Sequence, residues 1–193
     1  MIWNKIKKGA VWFFKSFIWI VPLTIILDQL TKLIVEKNNV QNLEIIKNFF
    51  YINLQRNDGV GFSIFSGEGM TEIFGLLSFV AGVIMIVYLV ARYKKMIIGN
   101  RIALLLIIGG CFGNMIDRLF YEDAVIDFLS FHFGSYNFPT FNLADAFLVI
   151  GVIVLIIIMI LEEFSGTKDK KIATSSNSGV ENIESSTEEK KDE

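Results

Sequence analysis

One cysteine, Cys111, and one histidine, His132, stand in a chain of 193 residues. A lone cysteine excludes an internal disulfide and says nothing about redox compartment. With one residue of each kind, a zinc centre built from His and Cys is not expected, and the chain suggests no metal or cofactor. Charge is scarce too: 20% of residues are Asp, Glu, Lys or Arg, and the formal net charge is −2. No basic stripe suited to nucleic acid is present. A small-residue cleavage site is missing after Lys5, Lys7, Lys8 and the apolar stretch that follows them. That stretch is therefore read as a retained first helix and not as a cleaved signal peptide.

What the chain does have is apolar surface: 53% hydrophobic residues, 18 Phe and a mean hydropathy of +0.53. That is too apolar for an ordinary soluble domain and points to a polytopic membrane protein. A span needs about 20 apolar residues. Four segments supply them, at about 16–35, 73–91, 102–120 and 142–161. Lys5, Lys7, Lys8 and Lys15 precede the first, Arg92, Lys94, Lys95 and Arg101 fill the link between the second and third, and Lys168, Lys170 and Lys171 follow the fourth. All three clusters fall on one side only with four spans and both termini cytoplasmic. The expected fold is thus an all-α polytopic membrane protein of four transmembrane helices with a small extracytoplasmic β element. Residues 1–164 form the membrane domain, segments 36–72 and 121–141 lie outside, and the polar stretch 165–193 is a disordered cytoplasmic tail.

Within 49–65, aromatic and β-branched residues flank the turn signal Asn57-Asp58-Gly59, which suggests the β element. In the second outer segment, Phe128, Phe131, Phe133, Tyr136, Phe138 and Phe141 read as an interfacial aromatic belt. That loop is also a candidate lid.

Carboxylates then stand out, because a charge in a bilayer costs roughly 2.5–3.5 kcal/mol or more. Asp28, Asp127 and Asp145 lie in or beside the apolar stretches, and the topology brings them to the outer boundary. Asp145 has two compatible readings. Asn142 can cap the last helix with Asp145 three residues on, and the helix dipole would keep that carboxylate ionised. Asp127, between Ile126 and Phe128, needs a partner to sit in the interface. Asp28 and Lys32, spaced i and i+4, favour a structural salt bridge. Asn114, Asp117 and Arg118 share a face of the third span, and Asp117 with Arg118 can form a buried pair. Gly109, Gly110 and Gly113 suit close helix packing. His132 reads as interfacial, and Ser63 and Ser130 lack a well-placed base.

Two acids meeting near the surface without His, Cys or a metal motif suggest an aspartyl mechanism. Adjacent carboxylates share a proton and titrate as a unit. One activates water while the other polarises a carbonyl. A transporter carrying protons or cations on its acids is the competing class, and a binding-only membrane subunit is a third.

Five motifs occur in order: Asp28-Gln29-Leu30-Thr31-Lys32, Asn57-Asp58-Gly59-Val60-Gly61-Phe62-Ser63, Gly110-Cys111-Phe112-Gly113-Asn114-Met115-Ile116-Asp117-Arg118, Val125-Ile126-Asp127-Phe128 and Phe141-Asn142-Leu143-Ala144-Asp145. Together they resemble the motifs of bacterial lipoprotein signal peptidase, or signal peptidase II, over about residues 15–162. The resemblance implies that Asp127 and Asp145 are a catalytic dyad. It implies that Asp28, Lys32, Asn57, Gly59, Asn114, Asp117, Arg118 and Asn142 support the site or its substrate. It further implies removal of signal peptides from diacylglyceryl-modified prolipoproteins before the lipidated cysteine, with no metal. It implies a cell-membrane location with the site facing out, contact with membrane lipids, inhibition by globomycin-type peptides, and a sheet from 36–66 that cradles substrate. Gly61 replaces the alanine usual in the family, and the tail from about Ser165 runs past the typical end.

Overall fold

The first long helix wears its polarity inward. In the computed structural model, which describes residues 9, 11, 13–57, 70–120 and 124–164, α1 spans Ile20–Lys37. Ile20, Thr24, Asp28, Lys32 and Val35 are buried at three- and four-residue spacing, which places them on one face. Leu23, Ile26, Leu27, Leu30, Leu33 and Ile34 point outward and are 41–58% exposed. A helix of a water-soluble protein shows the reverse pattern. The start lies later than 16 because Ser16 donates its hydroxyl to the Phe13 carbonyl at 2.8 Å and Phe17 takes a φ of 60°. That local bond competes with helix continuation. At the far end Asn39, at φ 45°, closes the helix, with the Val40 amide donating to the Val35 carbonyl at 3.1 Å.

α2 (Met70–Arg92), a 3-10 turn (Tyr93–Lys95), α3 (Ile98–Phe120) and α4 (Leu143–Phe164) follow. Among the described residues, three stretches are long and apolar enough to cross a membrane: Gly75–Lys95, Ile98–Phe120 and Leu143–Phe164. α1 is outside that set, because its 18 residues include Asp28, Lys32, Glu36 and Lys37. The protein is a multi-pass membrane protein on this evidence. α3 is the packed helix, while α2 and α4 leave most of their length exposed. Close approach to α3 relies on its glycines. A Cβ on Gly109 would strike Thr24 of α1, and one on Gly110 would strike the Ala144 carbonyl of α4. A Cβ on Gly113 would lie 3.0 Å from the Asp28 carboxylate.

The small β element expected from sequence is present among the described residues as a four-stranded antiparallel sheet, ordered β1 (Leu43–Ile46), β2 (Phe50–Asn57), β3 (Val125–Phe133), β4 (Tyr136–Asn137). Of the residues read as an aromatic belt, Phe128, Phe131 and Phe133 lie on β3, an inner strand of that sheet, and Tyr136 lies on β4. The β-branched and aromatic residues of β3 are strand formers and pair with β2. Ile52 faces Leu129 and Asn57 faces Val125, with a register shift between Ile52 and Gln55. Phe50 stacks on Phe131 at 4.7 Å, and Phe131 stacks on Phe141 at 5.8 Å. The Phe128 and Leu129 amides both donate to the Phe141 carbonyl, at 3.0 and 2.8 Å. These bonds hold much of the 128–141 segment, read from sequence as a candidate lid, against β2 and its own strands. The hairpin between β1 and β2 turns at Lys47 and Asn48, where Asn48 has a φ of 56°. The turn expected at Asn57-Asp58-Gly59 lies outside the described residues beyond Asn57, as do the rest of the 58–65 strand signal and the 165–193 tail.

Candidate active site

Lys32 anchors the site from below. Its ammonium lies 2.7 Å from Asp28 Oδ2, 2.8 Å from Asp117 Oδ2 and 3.2 Å from Asn114 Oδ1, so its three protons have three acceptors. Lys32, Asp28 and Asp117 are all fully buried. The expected Asp28–Lys32 bridge is present, but Asp117 pairs with Lys32 and not with Arg118. Helical geometry explains the difference, since adjacent residues on a helix do not face each other.

Each carboxylate of this layer also holds backbone. The Ala144 amide donates to Asp28 Oδ1 at 2.9 Å, and the Ile126 amide donates to Asp117 Oδ2 at 3.0 Å. These bonds fix the residues immediately before Asp145 and Asp127. Gln29, not singled out from sequence, bonds to Asp117 Oδ1 at 2.7 Å and to the Gly113 carbonyl at 3.2 Å. Its signal was a second polar residue beside Asp28 within an apolar helix.

Asparagines carry the arrangement up to the two acids. Asn114 Nδ2 donates to Asp145 Oδ1 at 2.7 Å. Asn142, fully buried, sends its Nδ2 to Asp127 Oδ1 at 2.7 Å and to Asn114 Oδ1 at 2.9 Å. Asn142 and Asp145 also cap each other: the Asp145 amide donates to Asn142 Oδ1 at 3.0 Å, and the Asn142 amide donates to Asp145 Oδ2 at 3.3 Å. This is a capping box with Asn and Asp in place of the usual pair. Asn57, at the end of β2, donates from Nδ2 to Asp127 Oδ2 at 2.9 Å. Arg118 is half-buried, donates to the Asn114 carbonyl at 3.2 Å and leans on Gly75 of α2. Gly59 lies outside the described residues.

Burial raises the Asp127 carboxyl to about 7, and the nearby Asp145 charge pushes in the same direction. The bonds from Asn57 and Asn142 pull it back in part. Asp127 is 3% exposed, whereas Asp145 is more open. Two acids sharing one asparagine, one of them holding its proton near neutrality, suit acid–base hydrolysis.

Comparison with known proteins decides the matter. Residues 20–161 match the family model described as Signal peptidase (SPase) II. The chain belongs to the signal peptidase II family. A lipoprotein signal peptidase of Bacillus pumilus (strain SAFR-032) is 39% identical over 163 residues, covering 82% of this chain and 99% of that protein. One from Clostridium novyi (strain NT) is 38% identical over 146 residues, covering 74% and 96%. Among solved structures, a bacterial membrane enzyme determined in meso at 2.3 Å resolution is 31% identical. It has a TM-score of 0.65 and covers 77% of this chain and 89% of that one. A second, at 1.9 Å, has a TM-score of 0.63 with the same identity, covering 75% and 92%. Membership in the signal peptidase II family makes this chain an aspartic-type endopeptidase.

Proposed function

We propose that this signal peptidase II removes signal peptides from diacylglyceryl-modified prolipoproteins, cutting just before the lipidated cysteine, with Asp127 and Asp145 as a metal-free dyad. The observation that carries this is the convergence of both carboxyl groups on Asn142 with the Asp127 carboxyl raised to about 7. The Asp145 carboxylate takes a proton from water, whose oxygen attacks the scissile carbonyl carbon. Protonated Asp127 donates to the carbonyl oxygen as the tetrahedral intermediate forms. The intermediate collapses as the carbon–nitrogen bond breaks: the proton taken by Asp145 passes to the departing cysteine nitrogen, and one diol hydroxyl returns its proton to Asp127 as the new carboxyl group forms. Asn114, Asn142 and Asn57 aim the two acids. Lys32 neutralises Asp28 and Asp117 beneath them. Arg118 supplies positive charge beside the developing oxyanion.

α1 is the fourth span in this reading, since Asp28 and Lys32 turn inward while Leu23, Ile26, Leu27, Leu30, Leu33 and Ile34 turn outward. Both termini then lie in the cytoplasm, residues 1–164 form the peptidase domain, and 165–193 form a polar tail. The acids sit at the outer face of the cell membrane. That depth suits a substrate whose lipid stays in the bilayer, and globomycin-type peptides would occupy the same position. A proton-relay transporter would need acids spaced through the membrane depth. The described acids of α1, α3 and α4 instead gather around Lys32 and Asn142, apart from residues at helix ends.

The test uses purified protein in detergent with a diacylglyceryl-modified prolipoprotein and EDTA. The wild type cleaves before the lipidated cysteine, while Asp127→Asn and Asp145→Asn are folded and lose about 10²–10⁴-fold or more in rate. Retained cleavage in both variants would overturn the dyad.

A further inference from the structure

The end of α3 away from the acids carries cations that form no ion pair among the described residues. Along the helix axis Arg101 lies ~20 Å from Asn114, at 1.5 Å per residue. Lys15, Arg92, Lys94 and Lys95 are exposed around this end. Among the described residues, the ion pairs are made by Lys32 and Arg56, and none of these four takes part. Phe14, Ile97 and Ile98 are also exposed here, at 65%, 52% and 56%. Exposed apolar and exposed cationic side chains thus occupy the same level.

The scaffold beneath them is built. The Arg101 guanidinium stands 4.3 Å over the Tyr93 ring and donates to the Met96 carbonyl at 2.8 Å. Tyr93 in turn donates its hydroxyl to the Ser16 carbonyl at 3.3 Å, tying the start of the chain to the turn between α2 and α3. The Trp19 indole donates to the Phe14 carbonyl at 3.3 Å. The backbone break at Phe17 sets the segment before α1 off the helix axis, alongside that turn. Arg92, Lys94 and Lys95 follow one another on this fixed turn, and Lys15 joins them from the N-terminal side.

We propose that this cluster binds the headgroups of anionic phospholipids, with Arg92, Lys94, Lys95 and Lys15 on the phosphates and Phe14, Ile97 and Ile98 among the upper acyl carbons. The chemistry favours an anionic lipid over a zwitterionic one because these cations are paired with no carboxylate among the described residues. Basic residues next to a span attract anionic headgroups strongly, and the attraction falls off within a Debye length. The inference rests on the multi-pass reading but not on which acids are catalytic.

The experiment uses the full chain in neutral detergent, titrated separately with dioleoylphosphatidylglycerol, dioleoylphosphatidylcholine and inorganic phosphate. Lipid retention is read by native mass spectrometry and thermal stability by unfolding. Phosphatidylglycerol is expected to be retained and to raise Tm, with phosphatidylcholine and inorganic phosphate having little effect. The variant Arg92→Gln/Lys94→Gln/Lys95→Gln loses about tenfold or more of that retention. Lys47→Gln, on the β1–β2 turn at the other end, retains the lipid as wild type does. Equal retention of phosphatidylcholine overturns the proposal, as does a triple variant that still holds phosphatidylglycerol. A shift reproduced by inorganic phosphate alone overturns it in favour of a free-anion site. Cleavage of prolipoprotein by the wild type is read separately, so failure here leaves the peptidase reading intact.

Discussion

Asp28 accepts a hydrogen bond from the backbone amide of Ala144 at 2.9 Å, across 116 residues of sequence. A carboxylate in the first helix therefore positions the turn that presents Asp145. Asp117 does the same for Asp127 through the Ile126 amide. The proposed dyad is held by a second pair of acids, and one lysine makes that second pair affordable.

Lys32→Met should expose this dependence. It leaves Asp28 and Asp117 buried with no cation, a loss of about 3–5 kcal/mol for a broken buried pair. The expected result is a large fall in Tm and in folded yield. A variant as stable as wild type would show that burial of the two acids does not depend on the lysine.

Asn142 has two jobs that substitution can separate. Asn142→Ala removes the cap, at a cost of about 0.5–2 kcal/mol, together with the bond to Asp127. Asn142→Ser keeps a capping oxygen but cannot reach Asp127 with an amide. Serine is expected to recover much of the lost Tm and little of the lost kcat. Equal recovery of both would mean that Asn142 acts through the helix start alone.

The Asp127 proton gives a sign for the pH profile. Its pKa in the folded chain is raised from 3.8 to about 7. The protonated form is therefore favoured by folding, and if it is the acid of the reaction, kcat/KM falls as pH rises through about 7. Stability follows the same direction. The native state binds this proton more tightly than the unfolded chain, so this contribution is whole below 3.8 and is lost progressively as pH rises to about 7. Measured Tm and kcat/KM between pH 4 and 9 check both, and an activity that climbs steadily through pH 7 to 9 contradicts the assignment.

Gly110→Ala tests the close approach of α4 to α3. The added methyl would meet the Ala144 carbonyl and Leu148. Overpacking of this kind costs about 1–3 kcal/mol. The expected variant is less stable and also slower, because Ala144 adjoins Asp145. A fully active variant of unchanged Tm would mean that the helices separate without cost.

The spans of α2, α3 and α4 were legible because uncharged apolar runs have few alternatives in a chain this hydrophobic. So was the Asp28–Lys32 pair, since helical spacing places the two side chains together. The strand at Val125–Phe133 was not legible as such. Its aromatic and β-branched residues suit a membrane interface as well as a strand, and only pairing with Phe50–Asn57, distant in sequence, decides between them. The partner of Asp117 was hidden for the same reason: Arg118 is adjacent in sequence, whereas Lys32 arrives from another helix. The double role of Asn142 was half visible, as a cap, because its bond to Asp127 depends on where β3 lies.

Lys32 meets its first acid within its own helix, one turn away. In the proposed four-span topology, α1 would carry its buried charge as a neutral pair into the membrane without waiting for α3. Asp117 comes later to a cation that is already half satisfied, and the order of the chain becomes an order of assembly.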